Sequence, residues 1–495
     1  MEAKLESSVA RVVFGIARNE LVQAHRTGAL AVLGGLVLSL VLLSTVVGYH
    51  SHRTSLEARE SYQEMVHRQW KDQPDRHPHR VSHYGFLVFR PRAPLSYFDI
   101  GVDSYAGTSL FLEPHRQNTA NFTEARHSTG MIRFGEMSAA AVLQLLLPLL
   151  IFFIGASTVS GEREKGTLPL LLCQGVPFGA ILAGKILGVL AVVGLWLLPS
   201  LAVSAAYLGL ATRVTFDGDA VLRSVLLLGV YGLFFLLCAT AAVLVSARHR
   251  TSRGALTTLV CAWVFLWVAL PRGLSTLGEA LHPAPSRAEF EAELERDVRR
   301  VGDSHNPNDP HFQALKEGIL AEHGVSDEAQ LPMNYKGVVM LEAEKATTSV
   351  FRRHYRRILE IHERQNAIAR WGAFVDPYLA MREISMALAG SDADTFEDFY
   401  WQAEEYRLSL VQKLNELHTR EVAYDRDVYV RPESGPPSRE RISRELFRSL
   451  PTFEYRRPGI ERAISRHAGA YAALLLFIPL MTWAARFSSK RPLAA

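Results

Sequence analysis

The sequence predicts an all-α integral membrane protein with six helical spans, a large, mainly helical domain between spans five and six, and a smaller one between spans one and two. Three observations carry this. Apolar residues make up 48% of the 495-residue chain and pool into blocks long enough to cross a bilayer. Lys and Arg collect beside those block ends that an even number of spans places on one side. Between the blocks the chain is densely charged, yet its apolar residues keep helical spacing.

The elements follow in order. Residues 1–27 place Val9, Val12, Val13, Ile16 and Ala17 at helical intervals beside Arg11 and Arg18, the pattern of a helix lying in the cytoplasmic membrane interface. Span one, 28–48, is too long for a signal-peptide core and no A-x-A-like cleavage site follows, so it reads as an uncleaved anchor. The remaining spans are expected at 139–160, 186–210, 221–246, 255–271 and 468–485, with a tail at 486–495. Lys4, Arg11, Arg18 and Arg26, then Arg163, Lys165 and Lys185, then Arg248, Arg250 and Arg253, then Arg486, Lys490 and Arg491 all fall on one side of a six-span layout, which marks that side and both termini as cytoplasmic. The short opposite loop carries only Arg213, with Arg223 at the edge of span four. Segments 49–135 and 272–467 then face outward from a bacterial inner membrane.

Composition narrows the function. A net charge of +4 without a basic, aromatic-laced run gives no footprint for nucleic acid. The three cysteines have neither metal-type spacing nor a place in the outer segments, so disulfides do not staple those segments. In the large outer segment, Val350, Phe351, Tyr355, Ile358 and Leu359 mark one helix, with Arg352, Arg353, Arg356 and Arg357 on its other faces. A second helix is expected from Thr395 as N-cap, with Asp398 at its third position and Phe399, Ala403, Leu410, Leu414 and Leu417 facing a core.

The stretch Gly161–Lys185, GEREKGTLPLLLCQGVPFGAILAGK, joins spans two and three. Glu162, Arg163, Glu164 and Lys165 form a charged rim. Gly166 and Thr167 break the span and start a short helix. Leu168, Leu170, Leu171 and Leu172 supply an apolar patch, and Pro177 and Gly179 turn the chain into span three. A charged rim beside an apolar patch suits a protein-docking knob, because the rim orients a partner and the patch supplies buried area.

This stretch resembles the cytoplasmic coupling segment of ABC-2 type permeases: Gly161, Arg163, Glu164, Gly166, Thr167, Leu168, Pro177, Gly184 and Lys185 stand at matching positions, with Cys173-Gln174 a departure where many members carry a small hydroxyl residue. Ile100-Gly101 through Leu112-Glu113-Pro114-His115-Arg116-Gln117-Asn118, and Leu450-Pro451-Thr452-Phe453-Glu454-Tyr455, resemble the subgroup associated with multicopper-enzyme maturation, which carries a long extracytoplasmic insertion. The resemblance implies an exporter of ABC-2 type. Its non-catalytic permease would bind no cofactor, while two copies of a separate ABC ATPase would hold ATP and Mg²⁺ and act on Glu162, Arg163, Glu164, Lys165, Gly166, Thr167, Leu168, Pro177 and Lys185. A second permease copy or a sibling would complete the pathway, in contact with membrane lipid and with a candidate periplasmic partner. A mechanical transmitter that moves the outer domain without carrying substrate is the alternative. An intramembrane enzyme is disfavoured, since no nucleophile, acid–base pair or metal motif lies at membrane depth.

Several patterns have blander readings. Gly179–Ile186, G-A-I-L-A-G-K-I, falls one hydroxyl short of a phosphate loop and lacks a preceding strand. His362-Glu363 lacks the second histidine of a zinc-protease helix, because position 366 is Asn366. Among the many histidines of 49–135, from His50 to His127, His77, His79 and His83 have a loose metal spacing, against the commoner case of solvated histidines in a charged loop. Within the spans no acidic or basic residue lies deep, and Gln144, with Pro148 one turn on, is the clearest polar candidate for a substrate path, against an interhelical hydrogen bond. Pro148, Pro199 and Pro479 predict kinks.

Overall fold

The computed structural model describes residues 2–26, 28–119, 137–211, 217–306, 308–427 and 440–490; His127, Arg213 and Arg491 lie outside them. The chain begins with α1 (Glu2–Arg26) and α2 (Gly28–Lys71), continues through α3 (Pro78–Tyr84) and a hairpin, β1 (Phe86–Phe89) and β2 (Ser109–Leu112), and then enters α4 (Ala139–Glu164). A short α5 (Thr167–Cys173) leads to α6 (Phe178–Ala211), α7 (Gly218–Arg248) and α8 (Ser252–Leu281). The large insertion comprises α9 (Arg287–Arg299), α10 (Gln313–His323), α11 (Tyr335–Gly372), α12 (Pro377–Ala389), α13 (Ala393–Glu421), α14 (Arg444–Arg448) and α15 (Ile460–Arg466), before α16 (Ala468–Lys490) closes the chain.

Six helices have the length and apolar content to cross a membrane: α2, α4, α6, α7, α8 and α16. The helices overrun the apolar windows. The 44 residues of α2 would reach about 66 Å at 1.5 Å per residue, roughly twice a bilayer core, so its charged second half stands clear of the apolar layer. α4 and α7 form the centre, with 72% and 56% of their apolar windows buried, against 28% or less for the other four. They touch through small residues: a Cβ on Gly155 would meet the Ala242 Cβ at 2.5 Å.

Two π-helical turns, Val142–Leu146 in α4 and Val264–Ala269 in α8, face one another. The wider turns leave carbonyls short of helical partners. Indole donors fill them: Trp267 Nε1 reaches the Gln144 carbonyl at 2.8 Å and Trp263 Nε1 the Leu145 carbonyl at 3.2 Å.

The described residues of segments 49–135 and 272–467 fold as one body. Trp70, Val81, Phe86, Val88, Leu110 and Leu112 from the first share a core with Phe399, Ala403, Leu410, Leu414 and Phe447 from the second. The expected face of α13 is therefore the one that is buried. Its start differs from expectation: α13 begins at Ala393, and Asp392 is the N-cap, its carboxylate accepting the Thr395 N–H at 3.2 Å. Aspartate is at least as good a cap as threonine, and three residues separate it from the N–H it receives. α12 does not stay with the outer body. Tyr378, Met381, Ile384 and Leu388 belong to the same core as the spans, and Tyr378 stacks on Trp267 with ring centroids 5.5 Å apart. Arg223 of α7 ties this end together, donating to the Ala387 carbonyl at 3.1 Å and the Pro458 carbonyl at 3.0 Å.

Candidate functional site

At the opposite end of the bundle, the connection between α4 and α6 is fastened on every side. α4 loosens at 156–159, and Ser246 of α7 repairs the break. Its hydroxyl accepts the Val159 and Ser160 N–H groups at 3.1 and 3.0 Å and donates to the Ala156 carbonyl at 2.7 Å. One turn on, the Arg163 guanidinium donates to the Ala247 carbonyl at 3.1 Å and to the His249 carbonyl, capping the end of α7. The Glu164 carboxylate accepts from the Ser252 hydroxyl at 2.6 Å and the Ser252 N–H at 3.2 Å, at the start of α8. Gly166 then takes φ +70°, a left-handed turn that costs glycine little, and lets α5 leave at a new angle.

α5 divides its leucines between core and solvent. Leu168 is buried in the span core, Leu171 and Leu172 pack on its margin, and Leu170 is 63% exposed. Lys165, Gly166, Cys173 and Pro177 are exposed around it. The Pro177 carbonyl accepts the Ala180 and Ile181 N–H groups at 2.9 and 3.2 Å and so starts α6.

Lys185 is the buried anchor. It is 2% exposed, and its Nζ lies 2.8 Å from Glu162 of the connection and 2.6 Å from Glu20 of α1. The Thr167 hydroxyl also donates to Glu162. Burial holds the Glu20 carboxyl above its usual range, although Lys185 opposes the shift. α1 lies along α6 because the facing positions are glycines. A Cβ on Gly184 would stand 2.7 Å from the Ile16 Cβ, and one on Gly188 2.6 Å from the Glu20 Cβ. Ala17 is buried, and Val12, Val13 and Ile16 are half-buried on this side of α1, whereas Val9 is exposed. The glycine-rich near-match to a phosphate loop thus lies within one continuous helix, where Gly184 serves packing.

Eight of the nine predicted coupling residues form this connection, and Lys185 returns from α6 to join them. Gln144 and Pro148 lie elsewhere on α4. Eighteen residues separate Gln144 from Glu162, about 27 Å of helix. Gln144 is buried, its Nε2 2.8 Å from the Tyr231 hydroxyl and 3.4 Å from Asp99, and Ser385 of α12 closes the circuit, 2.5 Å from Asp99 and 3.0 Å from Tyr231. Gln144 thus makes an interhelical hydrogen bond to α7.

The histidines divide. His77 is buried with His418 and Asp427. His79 and His83 join His115 and His305 instead. Burial, then the neighbouring imidazoles of His83, His115 and His305, push the His79 imidazole down to about 2, and burial lowers His83. Sequence reasoning missed Glu20, Ser246, Ser252 and His305. Nothing local marks them: each acts on a residue at least 86 positions away.

Six apolar helices, with a charged, leucine-tipped connection clamped between the second and third of them, define an integral membrane protein. The family model of the ABC-2 family transporter protein matches residues 16–299, and the chain belongs to that family, whose membrane proteins are permease subunits of ABC transporters. Membership implies an ABC ATPase as partner. A second model, a domain of unknown function (DUF3526), matches residues 287–456, which run from α9 to just before α15. No curated protein matches the chain.

Proposed function

We propose that the chain is the permease of a bacterial inner-membrane exporter, energised by a separate ATPase that docks on Gly161–Pro177. The observation that carries the reading is the attachment of this connection. One small element is bound at once to α7 through Arg163, to α8 through Glu164, and to α6 and α1 through Glu162 and Lys185. A push on α5 passes through the Thr167–Glu162 contact to the end of α4, and from there reaches four other helices through charge-assisted hydrogen bonds. Leu170 supplies exposed apolar area and Lys165 a charge for the partner. In this reading the α5 end, both termini and the turn between α7 and α8 face the cytoplasm. Two ATPase copies act on a pair of permeases, and the sparsely buried faces of α2, α6, α8 and α16 meet lipid and the second copy.

Co-purification tests the docking. Leu170→Asp and Glu164→Lys are expected to strip the ATPase from the permease while leaving the permease monodisperse. Retention of the ATPase by both variants would overturn the docking site.

A second reading, transmission to the outer domain without transport, has its own support. α12 is wedged into the span core, and Asp99, Ser385, Tyr231 and Gln144 bind the outer body to α4 and α7. Cysteines placed along α4 and α7 discriminate the two. A water-soluble maleimide reaching mid-span positions in some nucleotide state supports export, and uniform protection supports transmission.

A further inference from the structure

We propose that His79, His83, His115 and His305 form a binding site for one zinc(II) or copper(II) ion that joins the two outer segments. Their ligand atoms all lie within 4.8 Å of one another. His79 and His83 stand one turn apart on α3, so both rings leave the same helix face. His83 Nε2 lies 3.1 Å from His79 Nε2, and His305 Nε2 lies 3.3 Å from the same atom. Metal–nitrogen bonds of about 2.0–2.1 Å in a tetrahedron place adjacent nitrogens about 3.3 Å apart. The His79–His83 and His79–His305 pairs already stand at that separation, and the whole set lies within 4.8 Å.

Hydrogen bonding among the imidazoles does not account for the convergence. One Nε2 has either a single proton or a single lone pair, and His79 Nε2 faces two other Nε2 atoms. A cation satisfies all of them together.

The outer contacts point the same way. His115 has φ +60°, the left-handed region unusual for a residue with a Cβ. That turn sends its N–H to Glu344 at 2.8 Å and places its Nδ1 3.1 Å from the same Glu344 oxygen. Its Nε2 is buried, with no hydrogen-bond partner among the described residues. His305 repeats the arrangement, with Nδ1 3.3 Å from Asp303. A carboxylate on one ring nitrogen orients the other and raises its basicity toward a metal, the usual support of a histidine ligand. Glu344 is itself fixed, fully buried, by Arg407 at 2.5 Å.

The donor set names the class of ion. Four imidazoles without thiolate suit borderline cations such as zinc(II) and copper(II) rather than magnesium or calcium. The two exposed ligands, His83 and His305, leave the site open to solvent for loading. His79, His83 and His115 come from the first outer segment and His305 from the second, 226 residues from His79, so the ion closes the loop between α9 and α10 onto α3.

The test uses the full-length protein in detergent, with a non-histidine affinity tag, stripped by chelator and titrated with zinc chloride or copper(II) sulfate against a chromophoric competitor. One equivalent of either ion is expected to bind, and the tighter of the two names the occupant. His305→Ala and His83→Ala, both at exposed positions, are each expected to weaken binding tenfold or more. His311→Ala, on the same loop but paired with Asp309, leaves it unchanged. No saturable binding by the parent protein, or parental affinity in both ligand variants, overturns the site.

Discussion

Lys185→Met keeps the length and apolar packing of the side chain and removes its charge. Glu20 and Glu162, 11% and 14% exposed, then face each other without a cation. Removing one partner of a buried ion pair costs about 3–5 kcal/mol, because the remaining charge stays desolvated. The lower end applies here, about 3 kcal/mol, since both carboxylates keep some access to water and Glu162 retains the Thr167 hydroxyl. At about 2 °C per kcal/mol, appropriate to a large chain, the thermal midpoint falls by roughly 6 °C. The assay is thermal unfolding in detergent followed by fluorescence-detected size exclusion. Glu20→Gln in the Lys185→Met background removes one stranded charge and is expected to recover about half of the loss. If the effects of Lys185→Met and Glu20→Gln instead add within about 0.5 kcal/mol, the three groups are not coupled and the anchoring role of Lys185 is refuted.

Two further perturbations follow from the same geometry. Gly184→Val places side-chain atoms where Ile16 already stands, so α1 must move away from α6, at a cost of about 1–3 kcal/mol; Gly194→Ala, whose Cβ would have no neighbour nearer than 3.8 Å, is the silent control in the same unfolding assay. His467, at the entrance to α16, is 9% exposed, and although burial alone would lower it, hydrogen bonds to Asp392 and Glu383 hold it at about 9. Its folded pKa lies above the unfolded value of 6.5, so its contribution, about 3 kcal/mol, is complete below pH 6.5 and is lost as pH rises through 9. The thermal midpoint is therefore expected to fall between pH 6.5 and 9.5, and His467→Gln to flatten that slope; an equal slope in the variant would remove His467 as its source.

The six spans were legible because apolar content is a local property. The shape of the connection between α4 and α6 was legible for the same reason: Gly161–Lys185 carries its breaks, rim and patch within 25 residues. What fastens that connection was not, since Ser246, Ser252 and Glu20 are ordinary residues until folding brings them to Val159, Glu164 and Lys185. Gly184 and Lys185 show how one short pattern serves two chemistries. Only the surrounding helix reveals that the glycine admits α1 and that the lysine meets two carboxylates rather than a phosphate. The outer segments read as separate in sequence, yet Gln117 donates to the Tyr400 hydroxyl at 3.0 Å across 283 residues. The N-cap of α13 was readable, since Asp392 stands in the sequence with the right side chain at the right distance, but the hydroxyl of Thr395 gave a competing signal.

α5, the proposed surface on which ATP hydrolysis is felt, carries a reporter of its own. Cys173 is exposed at the end of α5, Cys238 is buried, and Cys261, exposed on α8, can be replaced by serine. The measurement is the rate of maleimide labelling of Cys173 in the Cys261→Ser protein, alone and with its ATPase. Strong protection by the bound ATPase is expected, with a further change in rate when ATP is added. Equal labelling with and without a co-purifying ATPase would contradict it.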